Sequence, residues 1–109
     1  MTEKLVRDKI PQIIKDETGS APDFRVAPIS ELPGLLINKI IEEANELAEA
    51  VENGNARDID KELADVKTAY DSLMLTLGRK PEQIEEVQSK RDSERGTFTR
   101  RIVMNFPKS

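Results

Sequence analysis

The chain has 109 residues, contains no cysteine or histidine, and carries a formal net charge of −4 with 35% charged residues. Without cysteine there can be no disulfide or thiol catalysis, and without histidine as well we expect neither zinc nor imidazole acid–base chemistry. The acidic balance argues against non-specific nucleic-acid binding, and no apolar run is long enough to cross a bilayer. We therefore expect a cytoplasmic protein that binds neither nucleic acid nor membrane.

The length predicts a single domain spanning residues 1–109. A chain this short, with 4% aromatic residues, can bury only a modest core by itself. We therefore expect its helices to complete their packing against a second copy of the chain.

The first thirty residues predict one short helix and one short strand. Ile10, Ile13 and Ile14 have the spacing of one helical face, and Gly19 provides a stop after them. The stretch 24–28 is rich in β-forming residues, and its proline suggests an edge strand.

The middle of the chain predicts two long helices joined by a tight turn. Apolar residues recur at helical spacing from Leu36 to Val51 and again from Ile59 to Leu77. Between them lies Asn53-Gly54-Asn55, in which glycine suits a left-handed helix end and the second asparagine suits a helix N-cap. The pattern predicts an antiparallel helical hairpin.

The last third predicts another helix and a final strand. Pro81 suits the first position of a helix and Gly96 suits its end. Arg91 and Arg95 occupy positions where a core helix would have apolar residues, with Lys90 beside them, so we expect an anionic partner there. With a short strand near 99–105, the prediction is an all-α bundle with minor strands.

Four acidic residues are placed symmetrically about the turn. Glu46 and Glu62 lie eight positions on either side of Gly54, and Glu43 and Asp65 lie eleven positions on either side. In a folded hairpin, the two acids before the turn face the two acids after it. Four carboxylates this close repel one another unless a cation lies between them. Carboxylate oxygens suit Mg²⁺ or Mn²⁺.

Two plainer interpretations compete with a metal site. A Glu-x-x-Glu pair is often only a solvated helix face, which would make the chain a non-catalytic dimerisation or partner-binding module. Arg91 and Arg95 could equally form structural salt bridges with Glu43 or Glu62. Arg7, Asp8 and Lys9 are surface charges by default.

Four segments together carry a family resemblance: Glu43-x-x-Glu46, Glu62-x-x-Asp65, the opening KLVRDKIPQII and the later KRDSERGTF. The chain resembles the all-α nucleoside triphosphate pyrophosphohydrolase superfamily, and within it the small MazG-like branch related to phosphoribosyl-ATP pyrophosphohydrolase. The resemblance implies a helical bundle assembled as a homodimer or homotetramer. It also implies hydrolysis between the α- and β-phosphates of a nucleotide, giving a monophosphate and pyrophosphate.

The resemblance also implies roles for individual residues. The four acids would be the Mg²⁺ ligands and catalytic groups, one of them orienting the attacking water. The remaining residues would bind the nucleotide substrate: Arg7, Asp8 and Lys9 by closing over it, and Lys90, Arg91 and Arg95 through its phosphates.

One departure from the family pattern lies at Asp92-Ser93, where many MazG relatives have an asparagine soon after the lysine. It bears on base or sugar recognition and is compatible with a narrowly specialised or a degenerate enzyme. The sequence predicts a house-cleaning triphosphate pyrophosphohydrolase, with a phosphoribosyl-ATP pyrophosphohydrolase as the alternative within the same superfamily.

Overall fold

The structure is a computed structural model that describes residues 3–107 and contains four α-helices and one 3₁₀ turn. The elements in chain order are α1 (Ile10–Thr18), the 3₁₀ turn (Ile29–Glu31), α2 (Leu32–Asn53), α3 (Ala56–Thr76) and α4 (Pro81–Arg95). Helices α2 and α3 make the main packing contact and form the predicted hairpin. The all-α prediction is confirmed.

The helix ends follow the local sequence signals closely. Gly54 has φ 70° and its N–H donates to the carbonyls of Ala50 and Val51, so the left-handed cap ends α2 as predicted. The Asn55 side chain accepts a hydrogen bond from the Asp58 N–H at 3.2 Å, which starts α3. These two caps place α3 directly after α2.

The short strands predicted near 24–28 and 99–105 are wrong, because neither range contains a β-strand in the structure. A strand is stable only when its backbone N–H and C=O groups pair with a neighbouring strand, and these stretches form no ladder. Their β-branched and aromatic residues gave the signal, but Phe24, Val26 and Val103 remain largely exposed.

The packing of the chain divides it into two compact units, one ending at Gly78 and the other beginning at Arg79. The first contains α1, α2 and α3, and the second contains α4 and the segment that follows it. The single domain over residues 1–109 stays a prediction. No helix within residues 3–107 is long and apolar enough to cross a lipid bilayer.

The hairpin has a small core that includes two acids. The residues buried in it are Leu36, Glu43, Ala50, Glu62, Ala69 and Met74. Much of the apolar stripe predicted to be buried is about half exposed in the single chain, with Ile41 at 55% and Leu63 at 51%. The hairpin therefore keeps apolar surface in contact with solvent while it buries two carboxyl groups.

Candidate functional site

Three of the four predicted acidic residues meet between α2 and α3. Glu43, Glu62 and Asp65 each offer a carboxylate oxygen, and the three oxygens lie within 4.8 Å of one another. Glu43 and Glu62 are buried, and Asp65 is half-buried. The hairpin turn brings them together because Glu43 and Asp65 lie at equal distances from Gly54. We call these three residues the acidic trio.

Small side chains flank the acidic trio along both helices. Ala50 lies seven positions after Glu43 on α2, and Ala69 lies seven positions after Glu62 on α3. Both alanines are buried, at 6% and 5% exposure. Their small volume leaves room between the helices near the carboxyl groups.

Basic side chains pair with one oxygen of Glu43, one oxygen of Glu62 and both oxygens of Asp65. Lys39 Nζ lies 3.5 Å from Glu43 Oε1, and Lys61 Nζ lies 2.9 Å from Glu62 Oε1. Arg7 Nη2 donates to Asp65 Oδ1 at 2.7 Å, while Lys61 Nζ lies 3.5 Å from Asp65 Oδ2. These cations offset part of the negative charge.

The second oxygens of the two buried glutamates lack such a partner. Glu43 Oε2 and Glu62 Oε2 are buried and accept no hydrogen bond from residues 3–107. A buried carboxylate oxygen without a donor is costly, because it has lost its hydration without replacement. Two such atoms in adjacent side chains mark a position that a proton or a cation can stabilise.

Burial and mutual repulsion shift the titration of the trio. The pKa of Glu43 is raised to about 7, mainly because burial disfavours the charged carboxylate, with Glu62 and Glu46 adding to the effect. Lys61 lowers the pKa of Glu62. The pKa of Asp65 is also lowered: burial opposes this, but Arg7 and Lys61 outweigh it. At neutral pH one carboxyl of the trio is therefore only partly ionised in the metal-free chain.

The fourth predicted acid, Glu46, lies beside the trio and not within it. Its carboxylate helps to raise the pKa of Glu43, so the two side chains are close. Glu46 also lines a cavity of about 350 Å³ together with Lys61 and Glu62. This cavity lies toward the turn, since Asn53 and Asp58 also line it.

The donor set of the trio fits a hard divalent cation. Mg²⁺ and Mn²⁺ take oxygen ligands and are commonly held by a few carboxylates plus water or phosphate. The two buried oxygens without donors are the atoms that such an ion would satisfy. Glu43, Glu62 and Asp65 are therefore the residues that would hold it.

A larger cavity of about 630 Å³ opens beside the trio within the first unit. Glu43, Asp65, Arg7 and Asp8 line it, together with apolar residues of α2 and of the segment before α1. Its volume lies within the range of small-molecule sites. The structure thus places two members of the predicted Arg7-Asp8-Lys9 triplet at a cavity; the third, Lys9, is the N-cap residue of α1.

The predicted phosphate-binding residues Lys90, Arg91 and Arg95 all lie on α4, where their side chains are exposed. Lys90 Nζ lies 3.9 Å from Glu94 Oε1, a weak surface pair one helical turn away. Their contact with a substrate stays a prediction.

The sequence interpretation missed Lys39 and Lys61. The signal that points to them is spacing: Lys39 precedes Glu43 by four positions and Lys61 precedes Asp65 by four, which places each pair on one helix face. Such pairs are common on exposed helices, so the spacing alone does not separate these lysines from surface pairs such as Lys67–Asp71.

Comparisons with known proteins give one family match. A family model described as the MazG nucleotide pyrophosphohydrolase domain matches residues 33–90, which is more than half of the chain. The matched region contains α3, nearly all of α2 and the acidic trio. The comparisons with curated proteins and with solved structures give no match.

Proposed function

This chain belongs to the MazG family of nucleotide pyrophosphohydrolases, and we propose that it is a Mg²⁺-dependent enzyme that converts a nucleoside triphosphate to its monophosphate and pyrophosphate. The observation that carries this proposal is the buried acidic trio, with two oxygens that lack donors, beside a cavity of about 630 Å³. The family's reaction, hydrolysis of a nucleotide pyrophosphate bond, is one that a divalent cation held by these carboxylates could support.

We assign the metal site to Glu43, Glu62 and Asp65, with Glu46 completing it through a side-chain or water contact. When bound, Mg²⁺ or Mn²⁺ would supply a Lewis acid for a phosphoryl oxygen and a template for substrate and water. The chain's own contribution is to hold the carboxylates together in a partly dry site. Lys39, Lys61 and Arg7 limit the charge that the trio carries when no ion is bound.

The proposed reaction consumes one water and needs no other co-reactant. The water oxygen forms a bond to one of the two phosphorus atoms that share the bridging oxygen of the α- and β-phosphates, the bond from that phosphorus to the bridging oxygen breaks, and the products are the nucleoside monophosphate and pyrophosphate. One carboxylate among the acidic trio and Glu46 orients the water and accepts its proton. This chemistry uses only the side-chain types that a chain without cysteine or histidine can supply.

We assign substrate binding to charged side chains in two parts of the chain. Arg7 and Asp8 line the cavity, and we propose that with Lys9 they close over the nucleotide. Lys90, Arg91 and Arg95 would bind phosphate oxygens, for which guanidinium groups are well suited. The role is house-cleaning of non-standard or surplus triphosphates in the cytoplasm.

We propose that the active form is a homodimer or homotetramer built on the exposed apolar stripe of the hairpin. On α3 and at its C-cap, Leu63, Tyr70 and Leu77 recur every seven residues and are 51%, 43% and 53% exposed. This is the spacing by which helices pack side by side in bundles. Light scattering of the purified protein tests the assembly: a monomer at micromolar concentration would contradict it.

The test of the function is a panel of nucleoside triphosphates incubated with the protein and Mg²⁺, with phosphoribosyl-ATP as a separate arm. We expect a nucleoside monophosphate and pyrophosphate in equal amounts, and no product from Glu62→Gln. Turnover of phosphoribosyl-ATP alone would move the assignment to that substrate. No turnover of any substrate, together with no metal binding, would favour the non-catalytic helical module.

A further inference from the structure

Along α2 and α3, the residues that line the cavity beside the trio change from charged to uncharged with distance from the turn; Arg7 and Asp8, which precede α1, also line this cavity. On α2 and α3 its charged lining residues are Lys39, Glu43, Lys61 and Asp65. The lining residues of these helices that lie more than fifteen positions from Gly54 are Leu32, Leu36, Ser72 and Thr76, and none is charged; the uncharged Thr68 and Ala69 lie nearer the turn. We call the first group the charged end and the second group the neutral end.

Hairpin geometry places the members of the neutral end opposite one another. Leu36 and Ser72 both lie eighteen positions from Gly54, and Leu32 and Thr76 both lie twenty-two positions from it. Ser72 lies seven residues beyond Asp65 on α3, so the two ends are separated by about 10 Å along the helix. One wall of the neutral end is apolar, and the other carries hydroxyl groups.

The hydroxyls of this wall keep hydrogen-bonding capacity. Thr76 Oγ1 donates to the Ser72 carbonyl at 2.7 Å and retains its acceptor lone pairs. Ser72 Oγ makes no hydrogen bond with another residue in the range 3–107, although the residue is half-buried. The hydroxyl of a half-buried serine that lines a cavity can both donate to and accept from a ligand.

We propose that the neutral end binds the base and sugar of the nucleotide and that Ser72 is a specificity-determining residue there. A nucleotide has the same division as the cavity: an anionic phosphate chain at one end and an uncharged, hydrogen-bonding base and sugar at the other. With its phosphates at the acidic trio, its base and sugar extend along α3 between the apolar wall and the hydroxyl wall. This inference rests on the proposed function for the direction in which the substrate lies.

The test compares a ligand that has a base and sugar with one that lacks both. For Ser72→Ala we expect KM of the preferred triphosphate to rise by about 3- to 10-fold, the loss that one hydrogen bond produces, with kcat little changed. Inorganic tripolyphosphate contains only the phosphate chain, so its inhibition constant should stay the same. Ser89→Ala, which removes an exposed hydroxyl from α4, is the matched control and should change neither value.

A second variant and a binding assay keep the result interpretable. If Ser72→Ala fails to fold, Thr76→Val takes its place as the test variant and should also raise KM. Calorimetry with the nucleoside monophosphate and no added metal should show weaker binding to both variants than to the parent protein. An unchanged KM, or a tripolyphosphate constant that rises in step with KM, would overturn the inference while leaving the hydrolase assignment intact.

The two proposals can also fail separately in the other direction. If no triphosphate is hydrolysed but the monophosphate binds in a Ser72-dependent way, the hydrolase proposal fails and the binding site stands. If the monophosphate does not bind and nothing is hydrolysed, both fail.

Discussion

The α2–α3 hairpin and helix α4 are both rich in charged residues, but they differ in whether those residues are buried. The hairpin buries Glu43 and Glu62, whereas α4 buries no residue of any kind. Burying a carboxylate costs several kcal/mol unless it is fully paired, so a fold keeps one only where something compensates. Exposed charges carry no such cost. The comparison teaches that burial separates Glu43 and Glu62, the acids proposed to bind metal, from the many exposed acids of this chain.

The largest expected effect is the loss of activity when a buried acid is changed. Glu62→Gln should lower kcat by at least about 100-fold, because even residues that only support a metal ligand cost 10- to 100-fold when changed. The measurement is steady-state kinetics with Mg²⁺ and a nucleoside triphosphate. Glu52→Gln, on the exposed surface of α2, is the control and should keep nearly full activity. Equal losses in both variants would remove the distinction that burial makes.

The second effect is on stability in the absence of metal. The folded-state pKa of Glu43, about 7, lies above its usual 4.5, so the folded chain takes up a proton more readily than the unfolded chain. Stability from this group is therefore present at low pH and is lost as the pH rises through 7. The free energy of unfolding should increase by about 2–3 kcal/mol from pH 8 to pH 5.

Urea denaturation in the presence of a chelator, at several pH values, measures this dependence. Glu43→Gln should remove most of it, because the titrating carboxyl is gone. Below about pH 4 the trend should reverse, since the lowered pKa values of Glu62 and Asp65 make their ionised forms stabilising. If the stability of the parent protein fell steadily from pH 8 to pH 5, the raised pKa of buried Glu43 would be contradicted.

The third effect separates Arg7 from an ordinary surface arginine. Arg7→Ala should raise KM by about 10-fold, the cost of losing a charge-assisted hydrogen bond to phosphate. In metal-free buffer it should also cost roughly 0.5 kcal/mol of stability through the lost pair with Asp65. Arg25→Ala is the matched control, because Arg25 pairs with Glu3 and Glu31 away from the cavity. Identical kinetics for the two variants would exclude Arg7 from the site.

The smallest expected effect is on the stability of variants in α4. Arg91→Ala and Arg95→Ala should each change the free energy of unfolding by less than about 0.5 kcal/mol, as exposed side chains do. Their KM for the triphosphate should nevertheless rise if they bind phosphates. A large loss of stability in metal-free buffer would instead support the alternative in which Arg91 and Arg95 form structural salt bridges.

Much of the fold could be predicted from single residues with unambiguous backbone roles. Gly54, Asn55, Pro81 and Gly96 each mark a helix end in the structure as predicted. The stretches at 24–28 and 99–105 misled because β-propensity describes how a side chain packs in a sheet, and no neighbouring strand exists there. Helix ends are local, whereas strands depend on a partner elsewhere in the chain.

The site was predictable to the level of which acids face each other. Equal spacing about Gly54 brought Glu43 opposite Asp65, because a hairpin relates such positions by geometry. Spacing could not show that Glu46 lies beside the trio while the other three converge, since this depends on side-chain rotamers. It also could not show the raised pKa of Glu43, which follows from burial between two helices.

The central claim is that the acidic trio binds a divalent cation, and calorimetric titration with Mn²⁺ at pH 7.5 tests it most directly. The parent protein should bind the ion, and the Glu43→Gln–Glu62→Gln double variant should bind it at least about 10-fold more weakly. Circular dichroism should show that the double variant keeps its helices. If the parent binds no Mn²⁺, or the folded double variant binds it equally well, the claim is contradicted.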